Sequence, residues 1–296
     1  MATNSTILVV GDVMTDIIVV PEGALVRGSD RAATIRQRPG GSGANQAVWL
    51  GAMGAHVRFA GRVGQEDRCR LEEYFRDRRV EPLLAADPAL PSGVLVTMVD
   101  PDGERSFLTD RGANLHLCEH DLPPSLLEGV GMVMASGYSF FEPGPRAAVQ
   151  SLLRRAASQG VPSAIDPASV GFLLAVGPEN FLYWTQGASW IFANEDEART
   201  LTGSKESQEQ LRLLGQHYGN VVLKRGAQGA MLGGAAGMRM QLPAPVVPVL
   251  DTTGAGDAFA AGFMATYLAS GDEATALEAG IAAGSQAVQA IGGQPA

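Results

Sequence analysis

Short apolar runs alternate along the chain with longer stretches in which apolar residues recur every three or four positions. The runs are typical of buried strands and lie at residues 6–10, 57–60, 132–135, 163–165, 190–193 and 221–223. The longer stretches predict helices over residues 44–53, 67–78, 145–158 and 204–218, with two more over 254–269 and 273–290. Strands separated by helices predict a parallel sheet covered on both faces, which is a three-layer α/β/α domain that binds ligands at the carboxyl ends of its strands.

Two segments, residues 16–36 and 93–110, contain strand-like residues but no helix pattern. The tripeptide Pro101-Asp102-Gly103 is a strong turn signal and joins residues 94–99 to residues 105–109 as a hairpin. We therefore predict one domain over residues 1–296 with a small antiparallel β lid formed by about 16–37 and 93–112. The alternative is an edge hairpin without a functional role. The apolar run at residues 17–20 predicts an edge through which two lids pair in a homodimer.

Composition and charge narrow the class of protein. The chain has 296 residues, of which 46% are apolar and 18% are charged, so it can bury a core and is not intrinsically disordered. Its net charge of −9 argues against a nucleic-acid surface, which normally needs a basic footprint. Two cysteines cannot build a disulfide framework, and no apolar run is long enough to span a membrane. These features predict a cytoplasmic protein that binds neither nucleic acid nor membrane.

The most informative stretch is Asp251-Thr252-Thr253-Gly254-Ala255-Gly256-Asp257, which opens the first C-terminal helix. Small residues at a helix N-terminus leave backbone N–H groups unpaired, and with the helix dipole these groups form an anion site. Asp257 is unusual there because a carboxylate repels phosphate. It makes sense as a base that accepts a proton from a hydroxyl group attacking that phosphate. The alternative is an ordinary helix start with a favourable acid in its first turn.

A second glycine-rich loop runs from Arg38 through Gly40, Gly41, Ser42 and Gly43 into the helix at 44–53. Its glycines allow backbone amides, together with Asn45, to reach a polyhydroxylated ligand. Asn45 as a simple helix-start residue is the alternative.

Other nucleotide and catalytic motifs do not occur. There is no Gly-x-x-x-x-Gly-Lys-Ser/Thr loop, no Gly-x-Gly-x-x-Gly after the first strand and no Gly-x-Ser-x-Gly elbow. The cluster His116, Cys118, Glu119 and His120 lacks a second group of metal ligands and reads as a polar loop.

The two glycine-rich motifs, in this order, resemble the ribokinase-like (PfkB-type) carbohydrate kinase family over essentially the whole chain. The resemblance implies a parallel-sheet α/β domain with a β lid over the sugar, ATP as co-substrate and Mg²⁺ as cofactor. It assigns the catalytic base to Asp257 and the anion hole to Gly254, Ala255 and Gly256. Asp251 and Thr253 match the loop that holds a monovalent cation, for which K⁺ is the candidate.

The resemblance also assigns substrate and nucleotide contacts. Asp16, Gly40, Gly41 and Asn45 match positions that bind the sugar, and Asn194 with Glu197 matches an Asn-x-x-Glu motif whose glutamate holds Mg²⁺ through water. Taken alone, these last two residues would more often be a helix cap. Lys224, Gly226 and Gly229 match the nucleotide-side turn, with a surface lysine as the alternative. Arg105 on the lid and Asn114 are further candidate sugar contacts.

Three departures from ribokinases make ribose a poor fit: Met14 replaces a sugar-binding asparagine, Ser42 replaces a lysine, and Gly137-Tyr138 stands where a glutamate often reaches the sugar. We therefore predict an ATP-dependent kinase that phosphorylates an alcohol of a small sugar or sugar acid. One alternative is a nucleoside kinase, which needs an apolar wall such as Phe107, Phe140 and Phe141. The other is a sugar- or nucleotide-sensing module without catalysis.

Overall fold

A computed structural model describes residues 6–99 and 105–295, with Arg105 described in its backbone only. The strands in this part of the chain are β1 (Thr6–Val10), β2 (Met14–Pro21), β3 (Ala33–Gly40), β4 (His56–Gly64), β5 (Val80–Asp87), β6 (Gly93–Val99), β7 (Arg105–Asp110), β8 (Val130–Ser136), β9 (Ser163–Asp166), β10 (Trp190–Asn194), β11 (Asn220–Lys224), β12 (Ala230–Gly234) and β13 (Gly237–Leu242). The helices are α1 (Ser42–Ala52), α2 (Arg68–Asp77), α3 (Pro143–Ser158), α4 (Val170–Val176), α5 (Pro178–Trp184), α6 (Glu195–Thr202), α7 (Ser207–Leu214), α8 (Ala255–Ser270) and α9 (Glu273–Ala287).

The main sheet has nine strands in the order β13-β12-β11-β10-β9-β8-β1-β4-β5. The seven strands from β11 to β5 in this order are parallel, and β12 and β13 add an antiparallel edge. All six strands predicted for this sheet are confirmed, whereas β5, β12 and β13 were not predicted. Their sequences, which contain Pro82 and the glycines of β12, carry a weak strand signal.

Alternate residues of the parallel strands pack on opposite faces of the sheet. In β1, Ile7 and Val9 join a core cluster with α1, α2, α8 and α9. Leu8 and Val10 join a second cluster with α3 to α7. A strand buried on both faces reads as a continuous apolar run, which is the pattern seen in the sequence. The prediction of a three-layer α/β/α domain is confirmed.

The predicted helices are found, but one is shorter than expected. The stretch 204–218 contains only α7, Ser207–Leu214. Before it, the Ser204 hydroxyl accepts the Glu206 N–H at 3.1 Å, a local bond that competes with helix formation. Within the described ranges, no helix is long and apolar enough to cross a membrane.

The lid is a second sheet in the order β3-β2-β6-β7. Its outer pairs, β2 with β3 and β6 with β7, are antiparallel, whereas β2 and β6 pair in parallel at its centre. The predicted apolar edge at residues 17–20 is wrong, because β2 is an interior strand with neighbours on both sides. The turn predicted at residues 101–103 lies outside the described residues. The sheet stands over the carboxyl ends of the main strands, since Asp16, Leu95 and Thr109 all line the large cavity there.

Candidate active site

A cavity of about 670 Å³ lies between the lid and the carboxyl ends of the parallel strands. Because parallel strands end at one edge of a sheet, the residues that terminate β9, β10 and β11 meet there: Asp166, Asn194 and Lys224. The loop after β1 brings Asp12, and the first turn of α8 brings Asp257. The two glycine-rich motifs meet at this site, since Gly41, Ser42 and Asn45 also line the cavity.

The carboxylate of Asp257 is held by three side chains from the first two turns of α1. Ser42 Oγ donates to Asp257 Oδ1 at 2.7 Å, and Gln46 Nε2 donates to the same oxygen at 3.2 Å. Asn45 Nδ2 donates to Oδ2 at 3.1 Å. Oδ1 thus has two side-chain donors and Oδ2 has one, which leaves Oδ2 better able to accept a proton from a ligand in the cavity.

The surroundings of Asp257 raise its pKa to about 7. Burial is the largest cause, and repulsion from Asp166 adds to it. The hydrogen bonds from Ser42 and Asn45 and the charge of Lys224 oppose the rise. A carboxylate with this pKa can both accept and release a proton near neutral pH, which suits it to base catalysis.

The N-terminus of α8 offers backbone N–H groups beside this carboxylate. The Ala255 N–H donates to the Thr252 carbonyl at 3.3 Å, so its predicted place in an anion hole is not free in this structure. The N–H groups of Gly254, Gly256 and Asp257 have no acceptor among the described residues. The N–H groups available to an anion therefore differ from those predicted. The Ala255 N–H is already used, and the Asp257 N–H is available in addition to those of Gly254 and Gly256.

Lys224 lies directly over this helix terminus. A Cβ on Gly256 would come within 3.0 Å of Lys224 Nζ, so a larger residue at that position would displace the ammonium group. Nζ donates to Asp166 Oδ2 at 2.8 Å, and Asp166 and Glu197 together raise the pKa of Lys224 although burial opposes them. A positive charge is thus fixed beside the unpaired N–H groups. Asp166 was not predicted, although an acid that follows a buried strand is a signal that could have found it.

Asn194 and Glu197 form a reciprocal cap at the start of α6. Asn194 Oδ1 accepts the Glu197 N–H at 2.9 Å, and Glu197 Oε2 accepts the Asn194 N–H at 2.8 Å. Asn194 Nδ2 also donates to Glu197 Oε1 at 2.7 Å. Burial raises the pKa of Glu197, and the nearby Lys224 opposes that rise. Asn194 and Glu197 therefore cap α6 and also line the cavity. Gly226 and Gly229 also line the cavity, and their role in nucleotide binding stays a prediction.

Asp12 and Asp16 face the lid half of the cavity. Asp12 Oδ1 accepts from Ser136 Oγ at 3.1 Å and from the Gly43 N–H at 3.3 Å. Asp16 Oδ1 is buried and has no hydrogen-bond partner in the described part of the chain. Burial, with repulsion from Asp12, raises the pKa of Asp16 to about 6. A buried acceptor without a partner is costly unless a ligand supplies a donor.

The glycines of this half make room for these acids. Gly40 does not line the cavity. A Cβ at this position would lie 2.2 Å from Asp16 Oδ2, so only glycine leaves room for the Asp16 carboxylate. Gly41 has φ of +93°, and a Cβ would fall 2.7 Å from the Asp12 carbonyl oxygen.

Comparison with known proteins agrees with this arrangement. Residues 4–296 match the model of the pfkB family carbohydrate kinases. This chain belongs to the pfkB family of carbohydrate kinases. An aminoimidazole riboside kinase of Salmonella typhimurium is 30% identical over 295 residues, which cover 90% of this chain and 82% of that protein. A fructokinase of Klebsiella pneumoniae is 29% identical, with 90% of this chain and 86% of that protein covered.

Solved structures agree on the fold. The ribokinase of Thermotoga maritima superposes with a TM-score of 0.82 at 23% identity, over 98% of this kinase and 96% of that chain. The aminoimidazole riboside kinase of Salmonella enterica, solved with aminoimidazole riboside and an ATP analogue, gives a TM-score of 0.78 at 27% identity over 98% and 96%. The chain is therefore an ATP-dependent carbohydrate kinase, which transfers a phosphoryl group to an alcohol. The non-catalytic sensing module is set aside.

One predicted sugar contact of this kinase has a structural role instead. Asn114 Oδ1 accepts the Val13 N–H at 3.0 Å, while Nδ2 donates to the carbonyl oxygens of Val13 at 2.9 Å and Arg111 at 2.8 Å. It is buried and does not line the large cavity. The prediction that Asn114 contacts the sugar is wrong for this arrangement, because the backbone already uses its amide. The side chain of Arg105 lies outside the described residues, so its predicted contact stays a prediction.

The loop predicted to hold a monovalent cation is joined to the segment after α9. Asp251 Oδ1 accepts the Thr253 N–H at 2.9 Å, and Oδ2 accepts the Gly292 N–H at 2.9 Å. Trp49 Nε1 donates to the Gly293 carbonyl at 3.0 Å, which fixes this segment against α1. Thr253 lines the cavity but Asp251 does not. In the part of the chain described, no group of three or more His, Cys, Asp or Glu residues could hold a metal ion.

The apolar wall expected for a nucleobase is built from other residues than those named from the sequence. Phe107 is not among the cavity residues, and Phe140 and Phe141 are buried in the core. Tyr138 and Phe172 line the lid half instead, with their rings 5.4 Å apart in an edge-to-face pair. On the opposite half, an apolar wall consists of Val246, Val247, Val249, Ile281 and Val288.

Proposed function

We propose that this kinase phosphorylates an alcohol of a small sugar or sugar acid, with Asp257 as the base that takes the alcohol's proton. The alcohol oxygen forms a bond to the γ-phosphorus of ATP while the bond from that phosphorus to the β,γ-bridging oxygen breaks. ADP leaves and the proton passes to Asp257. The observation that carries this proposal is the Asp257 carboxylate, held by Ser42, Asn45 and Gln46, with its pKa near 7.

Charge that develops on the transferred group is met by fixed donors. The unpaired N–H groups of Gly254, Gly256 and Asp257 and the ammonium of Lys224 converge on one end of α8. Preorganised donors of this kind stabilise a phosphoryl group without reorganising during the reaction. The gap above this terminus is thus the position we assign to the γ-phosphate.

The apolar wall on the other half of the cavity suits the adenine ring of ATP, and Glu197 lines the cavity near the charges of Lys224 and Asp166. Both oxygens of Glu197 already accept hydrogen bonds from Asn194, so Glu197 fits Mg²⁺ through a bound water rather than directly. Mg²⁺, when bound, neutralises charge on the β- and γ-phosphates. For K⁺, the loop of Asp251 and Thr253 remains the candidate site; dependence of the rate on KCl tests it.

On the acceptor side, Asp16 and Asn45 are the proposed contacts to sugar hydroxyls. Asp16 Oδ1 and Asn45 Oδ1 support these contacts, because both oxygens are buried without a partner among the described residues and each can accept a hydrogen bond from a hydroxyl group. A nucleoside acceptor is the second candidate. Tyr138 and Phe172 supply a ring face for a base, and the Salmonella relative acts on a riboside by its name.

Exchange of Asp257 for asparagine tests the proposed base. With Asp257→Asn we expect turnover to fall by about 10²–10⁴-fold while ATP still binds, because the variant keeps its shape but loses the proton acceptor. ADP formation is measured across sugars, sugar acids and nucleosides, and ATP binding by calorimetry. Near wild-type turnover by the variant contradicts the role.

Thermal unfolding provides the folding control for this variant. The folded state raises the pKa of Asp257 from 3.8 to about 7, so it binds that proton more tightly than the unfolded chain does. The wild type therefore loses stability as the pH rises between these values, and Asp257→Asn removes that loss. We expect the variant to melt at or above the wild-type temperature at pH 8.5, with a smaller difference at pH 5.5.

We also propose that two copies pair through the outer face of the lid, not through its edge. Since Asp16, Leu95 and Thr109 face the cavity, their neighbours along the strands face outward. The outward face carries Gln37, Ser106 and Asp110 toward its margins, and its apolar residues are Ile17, Val19, Ile35, Val96, Met98 and Leu108. Ile35 and Leu108 are 61% and 62% exposed, and a contiguous exposed apolar face is typical of an interaction surface. The oligomeric state in solution tests this pairing.

A further inference from the structure

Arg111 is a cation in the acceptor half of the cavity that the proposed chemistry does not use. It follows β7 directly and lines the cavity together with Leu95 and Thr109 of the lid and the rings of Tyr138 and Phe172. Asp257, at the start of α8, lines the same cavity. Arg111 is therefore placed to contact the end of an acceptor that points away from the phosphoryl group.

Among the described residues, the guanidinium of Arg111 has no acidic partner. No Asp or Glu of the described residues forms an ion pair with it, and its hydrogen bond to protein is a weak one from Nη2 to the Tyr138 carbonyl at 3.4 Å. The guanidinium carbon Cζ lies 4.9 Å from the centre of the Tyr138 ring and 6.0 Å from the centre of the Phe172 ring. Arg62, across a small neighbouring cavity, forms ion pairs with both Asp87 and Asp121. Of five N–H donors in Arg111, most remain for a ligand.

The backbone that carries Arg111 is fixed. Its carbonyl oxygen accepts both the side-chain Nδ2 of Asn114 at 2.8 Å and the Asn114 N–H at 3.1 Å. Asn114 in turn bonds both backbone groups of Val13, which ties the end of the lid to the loop after β1. The Tyr138 and Phe172 rings lie beside the guanidinium. Such support preorganises a binding group, so that little conformational freedom is lost when a ligand arrives.

The charges around the cavity select the kind of group that fits. A planar guanidinium matches a carboxylate with two parallel hydrogen bonds. Asp12 and Asp16 stand in the same half, so a phosphate dianion there meets more repulsion than a carboxylate does. A nucleobase can stack on Tyr138 or Phe172, but it leaves the guanidinium without an anionic partner.

We propose that Arg111 is a specificity-determining residue that binds the carboxylate of a sugar-acid acceptor, while the hydroxyls of that acceptor face Asp16 and Asn45. This inference rests on the proposed function and names the acceptor class of the same site. It predicts a preference for aldonates and keto-deoxyaldonates over the corresponding neutral sugars.

The experiment compares kcat/KM for matched acceptors in the wild type, Arg111→Gln and Arg111→Lys. The acids are D-gluconate, D-galactonate and 2-keto-3-deoxy-D-gluconate, and the neutral set is D-glucose, D-fructose, D-ribose and adenosine. Arg146→Gln is the matched control, because Arg146 also lies over a ring, that of Trp184, and bonds a backbone carbonyl, but does not line this cavity.

We expect the wild type to prefer an acid, and Arg111→Gln to lose about 10–100-fold in kcat/KM for that acid, as for a charge-assisted hydrogen bond. Neutral acceptors and KM for ATP change less than about threefold. Arg111→Lys, which keeps the charge without the planar fork, falls between. A structural role alone lowers acids and neutral sugars equally and overturns the inference. So does a wild-type preference for a neutral sugar or adenosine, which leaves the kinase proposal standing. ADP formation with none of these acceptors counts against both.

Discussion

The bond from Ser42 to Asp257 allows a quantitative test of the base environment. Ser42 Oγ lies 2.7 Å from Asp257 Oδ1 and stabilises the ionised carboxylate. A hydrogen bond to a charged group contributes about 1.5–3 kcal/mol, and one pKa unit corresponds to about 1.4 kcal/mol. Gln46 keeps its own bond to Oδ1 at 3.2 Å, so we take the low end of this range for Ser42→Ala. The variant should raise the pKa of Asp257 by about one unit.

The pH dependence of kcat/KM measures this change, because it reports ionisations of the free enzyme. Asp257 must be ionised to accept a proton, so the rate of the wild type rises with pH through about 7. In Ser42→Ala the rise moves up by about one unit, which makes the variant roughly fivefold slower at pH 7 and nearly equal to the wild type above pH 9. Ser163→Ala, at a buried serine with no bond to Asp257, is the control. The assigned environment of Asp257 is refuted if the rise of kcat/KM with pH occurs at the same pH in the variant as in the wild type, or if kcat/KM falls by the same factor at every pH.

Two further variants test the lid. Asn114→Ala removes the oxygen that accepts the Val13 N–H, so it should lower the free energy of unfolding by about 2 kcal/mol and raise KM for the sugar but not for ATP. Chemical denaturation measures the stability, with the exposed Asn180→Ala as control. Unchanged stability of Asn114→Ala, or an equal loss in Asn180→Ala, contradicts this role. Ile35→Asp should convert a sedimenting dimer to a monomer, whereas Leu174→Asp, at an equally exposed apolar site off the lid, should not. A wild-type monomer at micromolar concentration disproves the pairing.

Much of the fold follows from local patterns in the sequence. Strands such as β1 are apolar over their buried residues because helices cover both faces of the sheet. The glycine-rich loops at 40–43 and 254–256 interrupt the pattern where a ligand must approach. Such a pattern can be recognised from the residues of one segment alone, without knowledge of the segments that pack against it. For β12 and β13 the local signal is weak, and pairing with β11 decides their structure.

The sequence by itself determined the α/β class, the existence of a lid, the two glycine-rich loops and the identity of the proposed base. It could not determine which side chains surround that base, since Ser42 and Asp257 are 215 residues apart and meet only when the sheet has formed. Neither the partnership of Lys224 with Asp166 nor the interior position of β2 has a local signature. The same holds for the structural role of Asn114 and for the position of Arg111 at the cavity. Tertiary structure decided these points, because burial, pKa and hydrogen-bond partners depend on distances between segments that the order of residues does not contain.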